Sequence, residues 1–415
     1  MQEPDPFDLL MPIIPRPDAI MSRGEGSWLW DEDGKRYLDF IQGWAVNCLG
    51  HAPPLVRNAL ATQSARLLSA SPALHNRPQL LLAELLARQS GLGRVFFCNS
   101  GTEANEGAIK LARKWGRVHR QGAFEIITAQ NAFHGRTAAS MAASGKQGWD
   151  QMFPPNLSGF VRVPFGDVEA VERAVAPRTA AVMVEPIQGE AGVVVPPEGY
   201  LRELRRLTRE KGILLIVDEI QTGMGRTGAA FAHQHQGVSA DIMTLGKGLG
   251  GGVPIAAVLA SREACCLQYG EQGGTYNGNP LMCAVALAVS REVLSPAFLQ
   301  QVAEKGNHLM KGLERVGARH RCTEVRGKGL LAALRLPVAN AQRVRDLCFE
   351  RGLIVNAPRA DLLRFMPALN VRREEIDAML AGLDAALDAT TGASEYSSTI
   401  TEPVPCFGRG LVGTG

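Results

Sequence analysis

Short, unbroken apolar runs recur along this chain, and each stops at a polar or glycine-rich segment. Residues 213–217 run into Asp218 and Glu219, residues 242–245 into Gly246-Lys247-Gly248, and residues 180–184 into Glu185-Pro186. Shorter runs at 95–97 and 125–128 have the same character. Branched runs of this length, without polar alternation, suit strands buried on both faces of a parallel sheet. Between them lie stretches with helical spacing. Leu81, Leu85 and Leu86 recur over 77–90, and Leu201, Leu204 and Leu207 over 198–211, the latter a crossover helix between strands. The pattern predicts an α/β fold, with ligands at the carboxyl ends of the strands.

The two ends of the chain read differently. Residues 24–40 predict a hairpin about Asp33-Gly34, followed by irregular chain and a helix after Pro53-Pro54. Trp44 in that irregular part is expected to pack between domains rather than to face a ligand. After residue 300, a helix to about 318, a strand over 330–336, a helix over 340–351, a strand over 353–355 and a helix over 374–387 give an α+β character. Residues 391–415 are rich in small side chains and predict a mobile tail, with Phe407 as a local anchor.

Composition narrows the function classes. The 415 residues are 46% apolar and 20% charged with a net charge of +3, and no long basic block argues for nucleic acid. No apolar run reaches membrane-spanning length, and the N-terminus lacks the pattern of a secretory signal. Eight scattered cysteines without a CxxC pair, and eight histidines without HExxH, predict neither a disulfide scaffold nor a metal site. Free thiols in a reducing cytoplasm are the expectation.

The strand ends carry the candidate chemistry. Lys247 lies between two glycines, which leave its amine uncrowded, and a buried lysine loses its proton readily. Asp218, ending a neighbouring strand, is suited to hold a protonated ring nitrogen. Together they form the layout that pyridoxal phosphate chemistry requires. Ser100 followed by Glu103 is a capping box, and the same helix entry offers backbone N–H groups to a phosphate. In isolation Phe133 would be core, while Arg136 and Arg364 would be surface residues.

The segments LLIVDEIQTGMGRTG and DIMTLGKGLGGGVP resemble the signature of class III pyridoxal-phosphate aminotransferases, in particular their acetylornithine branch. The likeness continues through SGTEANEGAIKLARK, EPIQGEAGVVVPP and the N-terminal hairpin, covering about residues 15–390. It implies fold type I, with a large mixed-sheet cofactor domain (61–299) and a smaller α+β domain built from both chain ends (1–60 and 300–390). It implies Lys247 as the Schiff-base lysine and Asp218 as the partner of the pyridine nitrogen. Gly101, Thr102, Phe133, Glu219, Ile220 and Gln221 join the cofactor set: Gly101 and Thr102 at the phosphate, Phe133 stacked on the ring, and Gln221 beside the ring hydroxyl. Thr275 of a neighbouring subunit would reach the phosphate, making the site dimeric, with Gly274 beside the substrate. Arg136 would bind the α-carboxylate and Arg364 the distal carboxylate of 2-oxoglutarate or glutamate. Glu190 would pair with Arg364 while a neutral, acylated diamine amino acid is bound. His134 is left a structural or orienting role. Succinylornithine, N-succinyl-LL-diaminopimelate, ornithine and 4-aminobutyrate are the alternative donors, and a non-catalytic binding protein of the same fold is a remote alternative.

Overall fold

The computed structural model describes residues 6–391; the predicted tail, apart from Thr391, lies outside them. Three strands come first: β1 (Met21–Glu25), β2 (Trp28–Asp31) and β3 (Arg36–Asp39). Seven follow: β4 (Arg94–Cys98), β5 (Glu125–Ala129), β6 (Phe160–Val163), β7 (Thr179–Val184), β8 (Leu214–Asp218), β9 (Ile242–Leu245) and β10 (Ala256–Ala260). The last five are β11 (Glu324–Lys328), β12 (Leu331–Arg335), β13 (Leu353–Ile354), β14 (Asn356–Arg359) and β15 (Leu362–Phe365).

The middle seven form one sheet in the order β4-β10-β9-β8-β7-β5-β6. Only β10 runs antiparallel to its neighbours, so the sheet is mixed. Its unbroken apolar strands have a direct cause. Successive side chains of a strand point to opposite faces, and both faces are covered. Ala181, Met183, Leu214 and Ile216 pack under the Gly101–His119 helix, with Ile109 and Ala112. Val182, Val184, Leu215 and Val217 pack on the other face against Leu201, Leu204 and Leu207 of the Tyr200–Glu210 helix.

The chain ends meet in a second sheet, where β13 pairs parallel with β3 of the predicted hairpin. The remaining strands form a third sheet, β11-β12-β15-β14, which carries Arg364 on β15. Strands β6, β11 and β14 were not evident from the apolar pattern, because β11 and β14 are only partly buried and β6 is a short edge strand. The helix at 77–90 forms as predicted, but its fully buried residues are Leu82 and Leu86, with Leu81 and Leu85 at the margin.

Trp44 departs from expectation. Gln42, Gly43, Trp44 and Ala45 all have φ between 50° and 64°, a left-handed turn. Each non-glycine residue there costs about 1–2 kcal/mol. The turn lifts Trp44 out of the packed interior: it is 41% exposed, and the Arg364 guanidinium lies 5.7 Å from its ring centre.

Candidate active site

The carboxyl ends of β7, β8 and β9 converge on a cavity of about 260 Å³, lined by Gly101, Thr102, Phe133, Arg136, Glu185, Glu190, Asp218, Ile220, Gln221 and Lys247 among others. A larger cleft of about 1000 Å³ opens along β4 and β10, but none of the candidate residues lines it.

Asp218 ends β8 directly opposite Thr244 of β9. Its Oδ2 accepts from Asn105 Nδ2 at 2.7 Å and from His134 Nδ1 at 2.8 Å, while its Oδ1 accepts from the Ile220 N–H at 3.1 Å. An ionised carboxylate only accepts, so Nδ1 of His134 carries the proton. Asn105 is oriented in turn: its Oδ1 accepts from Thr244 Oγ1 at 2.8 Å, and Nδ2 also donates to the His134 carbonyl at 2.7 Å. Burial disfavours a charged imidazole at His134, but the hydrogen bond to Asp218 and its charge outweigh that and raise the His134 pKa. Three donors thus converge on the Asp218 carboxylate and fix its orientation.

Lys247 begins a short turn after β9 with φ 45°, a strained left-handed residue between Gly246 and Gly248. Burial lowers its pKa, partly offset by Glu190 and Asp218, and Arg364 lowers it further.

Arg364, expected to be a surface residue by local context, is fully buried. Its Nη1 donates to Glu190 Oε1 at 2.8 Å, to the Gly189 carbonyl at 2.8 Å and to Gln221 Oε1 at 3.3 Å, and its Nε to Asn356 Oδ1 at 2.9 Å. Its Nη2 is buried without a partner among the described residues. Burial works against a charged Glu190, yet Arg364 and then Lys247 hold its pKa at about 2. Glu190 and Arg364, which the resemblance implied as partners, are in contact.

Phe133 and Arg136 follow β5 and reach the cavity wall. Gly101 and Thr102 open the Gly101–His119 helix, whose capping box forms as predicted. Gly101 is required by close approach, since a Cβ there would meet Ile220 side-chain atoms at 2.9 Å. Gly135, with φ 135°, lets the segment pass over Thr102, whose Oγ1 bonds Ser140 Oγ at 2.7 Å and Thr137 Oγ1 at 2.8 Å.

Glu219 and the Gly274-Thr275 segment do not line this cavity, and Thr275 was expected to serve a neighbouring subunit. Glu219, placed in the cofactor set, points away from the cavity. Its carboxylate accepts from the His233 backbone N–H at 2.9 Å, His233 Nδ1 at 2.8 Å and Thr222 Oγ1 at 2.5 Å. It follows Asp218 directly, so alternation sends the two acids to opposite sides. Gly274 and Thr275 lie on an exposed segment and do not line the cavity of their own chain.

Local sequence reading missed three contributors. Asn105 was hidden inside the capping-box helix. Glu185 passed as a strand terminator, but it is buried, accepts from the N–H groups of Phe133 at 3.1 Å and Gly189 at 3.3 Å, and has its pKa pushed up to about 7 by burial. Lys146 lies 5.0 Å from the Phe133 ring centre and 4.0 Å from Glu190 Oε2. An acid before proline at a strand end was the one available signal, for Glu185.

Comparison with known proteins agrees with this geometry. The family model described as aminotransferase class-III matches residues 14–387. Acetylornithine aminotransferase 2 of Bordetella bronchiseptica is 51% identical over 383 residues, covering 92% of this chain and 97% of its own. The acetylornithine aminotransferase of Methanocaldococcus jannaschii is 45% identical, covering 90% and 94%. Among solved structures, N-acetylornithine aminotransferase from Stenotrophomonas maltophilia superposes with a TM-score of 0.81 at 37% identity, covering 91% and 98%. Ornithine aminotransferase from Toxoplasma gondii gives 0.89 at 34% identity, covering 93% and 94%. With a matched family model spanning most of its length, and a lysine, an acid and a buried arginine assembled at the strand ends, the chain belongs to the class III aminotransferases.

Proposed function

We propose that this enzyme transfers the side-chain amino group of N2-acetyl-L-ornithine to 2-oxoglutarate, giving N-acetyl-L-glutamate 5-semialdehyde and L-glutamate in arginine biosynthesis. The observation that carries the reading is the Glu190–Arg364 pair beside Lys247, a charge arrangement suited to a neutral side chain in one half-reaction and a carboxylate in the other. The high identity to acetylornithine aminotransferases over nearly their whole length supports the same donor.

The cofactor is pyridoxal 5'-phosphate. The residues fit it: Asp218 has acceptor capacity left on Oδ1, Phe133 offers an aromatic face, and the Gly101–His119 helix turns its N-terminal N–H groups toward the same cavity. When bound, its ring takes up the negative charge that develops as a proton leaves the substrate. Lys247 would hold its carbonyl carbon, Asp218 its protonated ring nitrogen, Gln221 its hydroxyl side, and Gly101 and Thr102 its phosphate.

The geometry supports the following roles for the chain's own residues. Arg136 binds the substrate α-carboxylate in a fork. Glu190 neutralises Arg364 while the uncharged acetylated substrate is present, because a bare buried guanidinium is costly. Lys247 would remove the proton from the carbon that bears the transferred amine. Its depressed pKa favours the neutral base this requires. The Asn105–Thr244 and His134 hydrogen bonds keep the Asp218 carboxylate oriented toward the cavity. In the second half-reaction the distal carboxylate of 2-oxoglutarate takes Arg364 in place of Glu190.

We read the catalytic unit as a homodimer, with Thr275 reaching the phosphate and Gly274 the substrate of the neighbouring site. The exposure of that segment supports this. The division into a cofactor domain over 61–299 and a small domain from 1–60 and 300–390 is supported by the β3–β13 pairing of the two chain ends. The free cysteines among the described residues suit a cytoplasmic enzyme.

The test is a kinetic panel of acetylornithine, succinylornithine, ornithine and N-succinyl-LL-diaminopimelate, each with 2-oxoglutarate. Acetylornithine should give the highest kcat/KM. A clear preference for ornithine, which the Toxoplasma likeness makes the second reading, would reject the acyl-substrate assignment.

A further inference from the structure

Two cations lie within ion-pair distance of the two Glu190 oxygens. Oε1 holds Arg364 at 2.8 Å, and Oε2 lies 4.0 Å from Lys146 Nζ, too long for a hydrogen bond but within ion-pair range. Lys146 lies outside the residues that line the cavity, and no step above uses it. Its position is fixed by aromatic faces: Nζ sits 5.0 Å from the Phe133 ring centre and 5.1 Å from that of Trp149, which packs edge-on to Phe133. An ammonium over such faces is attracted to them and restrained. Only 24% of its side chain is exposed, against 21% for Glu190, so the two charges meet largely screened from water.

We propose that Lys146 is the second seat of Glu190, receiving its carboxylate when a dicarboxylate claims Arg364. This rests on the aminotransfer reading given above. The physical need is a charge count. A second carboxylate arriving at Arg364 puts two anions on one buried guanidinium. Displacing Glu190 without a new partner would strand a half-buried carboxylate, which is strongly unfavourable. A rotation of the Glu190 side chain of about an ångström toward Lys146 closes the existing 4.0 Å gap to hydrogen-bond distance and keeps every charge paired. Burial lowers the Lys146 pKa and Glu190 is the first influence that restores it, as expected of a cation held for that acid. Lys146 is therefore a positioning residue that determines how well the site accepts its two unlike substrates.

The test is Lys146→Met in the cofactor-loaded enzyme. It combines single-turnover rates for the acetylornithine and glutamate half-reactions with calorimetric binding of glutarate, an unreactive dicarboxylate. Glutarate affinity and the glutamate-side kcat/KM should fall about tenfold more than the acetylornithine side. Lys146→Arg should restore most of the difference. In a Glu190→Gln background, where no carboxylate needs reseating, Lys146→Met should have less than about a twofold effect on glutarate. Equal losses on both sides, or a full tenfold loss in the Glu190→Gln background, would overturn the proposal. Failure of the underlying reading looks different: wild-type enzyme would then show no acetylornithine half-reaction at all.

Discussion

Replacing Glu190 by glutamine removes one negative charge while keeping an oxygen for Arg364 Nη1. The magnitude follows from a pKa held at about 2, well below the ordinary 4.5. At 1.36 kcal/mol per unit this is about 3 kcal/mol of preference for the ionised form, an order-of-magnitude figure for a side chain 21% exposed. Two consequences can be measured. A depressed carboxylate pKa contributes stability above about pH 4.5 and loses it as pH falls toward 2. Glu190→Gln should therefore have a lower apparent melting temperature than wild type at pH 7, with the gap closing below about pH 4.5. In catalysis, acetylornithine must now sit beside an uncompensated guanidinium, while glutamate meets Arg364 with no anion to displace. If roughly half of the 3 kcal/mol appears in that balance, the ratio of glutamate to acetylornithine half-reaction kcat/KM rises about tenfold. Stopped-flow absorbance of the cofactor measures both rates. An unchanged ratio, or one shifted toward acetylornithine, would refute the charge-pair reasoning even if stability changed as expected.

Asn105→Ala should lower kcat by roughly 10- to 100-fold, the value of one hydrogen bond to a charged acceptor, and should weaken cofactor binding in equilibrium titration. Wild-type kcat and cofactor affinity in that variant would remove Asn105 from the support of Asp218. Glu185 has its pKa raised to about 7, so burying it favours the neutral acid; the stability it contributes is complete below about pH 4.5 and is lost as pH rises through 7. Glu185→Gln should flatten the pH dependence of stability between those limits and remove an ionisation near pH 7 from the kcat/KM profile. A profile and stability curve that overlay wild type would show that Glu185 does not titrate there.

How far the sequence leads depends on what each side chain's environment consists of. Strands β7, β8 and β9 were legible because two helix layers demand apolar residues at every position, leaving a pattern that needs no partner to be seen. Asp218 and Lys247 were legible because strand ends and flanking glycines mark them locally. Arg364 was named only through the family resemblance, and its burial was not legible locally, since it depends on Glu190, Gln221 and Asn356, which come from other parts of the chain. Trp44 escaped for another reason: three non-glycine residues in a left-handed turn contradict their own local preferences. Strict strand alternation would have separated Glu219 from Asp218 on sequence grounds alone. Lys146 becomes interpretable only when Glu190, Phe133 and Trp149 are brought around it.

The central claim is that Lys247 both holds the cofactor and moves the proton. The most direct measurement follows the absorbance of the pyridoxal-phosphate-loaded protein through one turnover, with wild type and Lys247→Ala side by side. Acetylornithine should convert the wild-type cofactor stoichiometrically to its amine form, and 2-oxoglutarate should restore it. The Lys247→Ala protein should lack the visible band of the lysine-bound cofactor and show no conversion on that timescale. Conversion at the wild-type rate in Lys247→Ala, or none in wild type, would contradict the account.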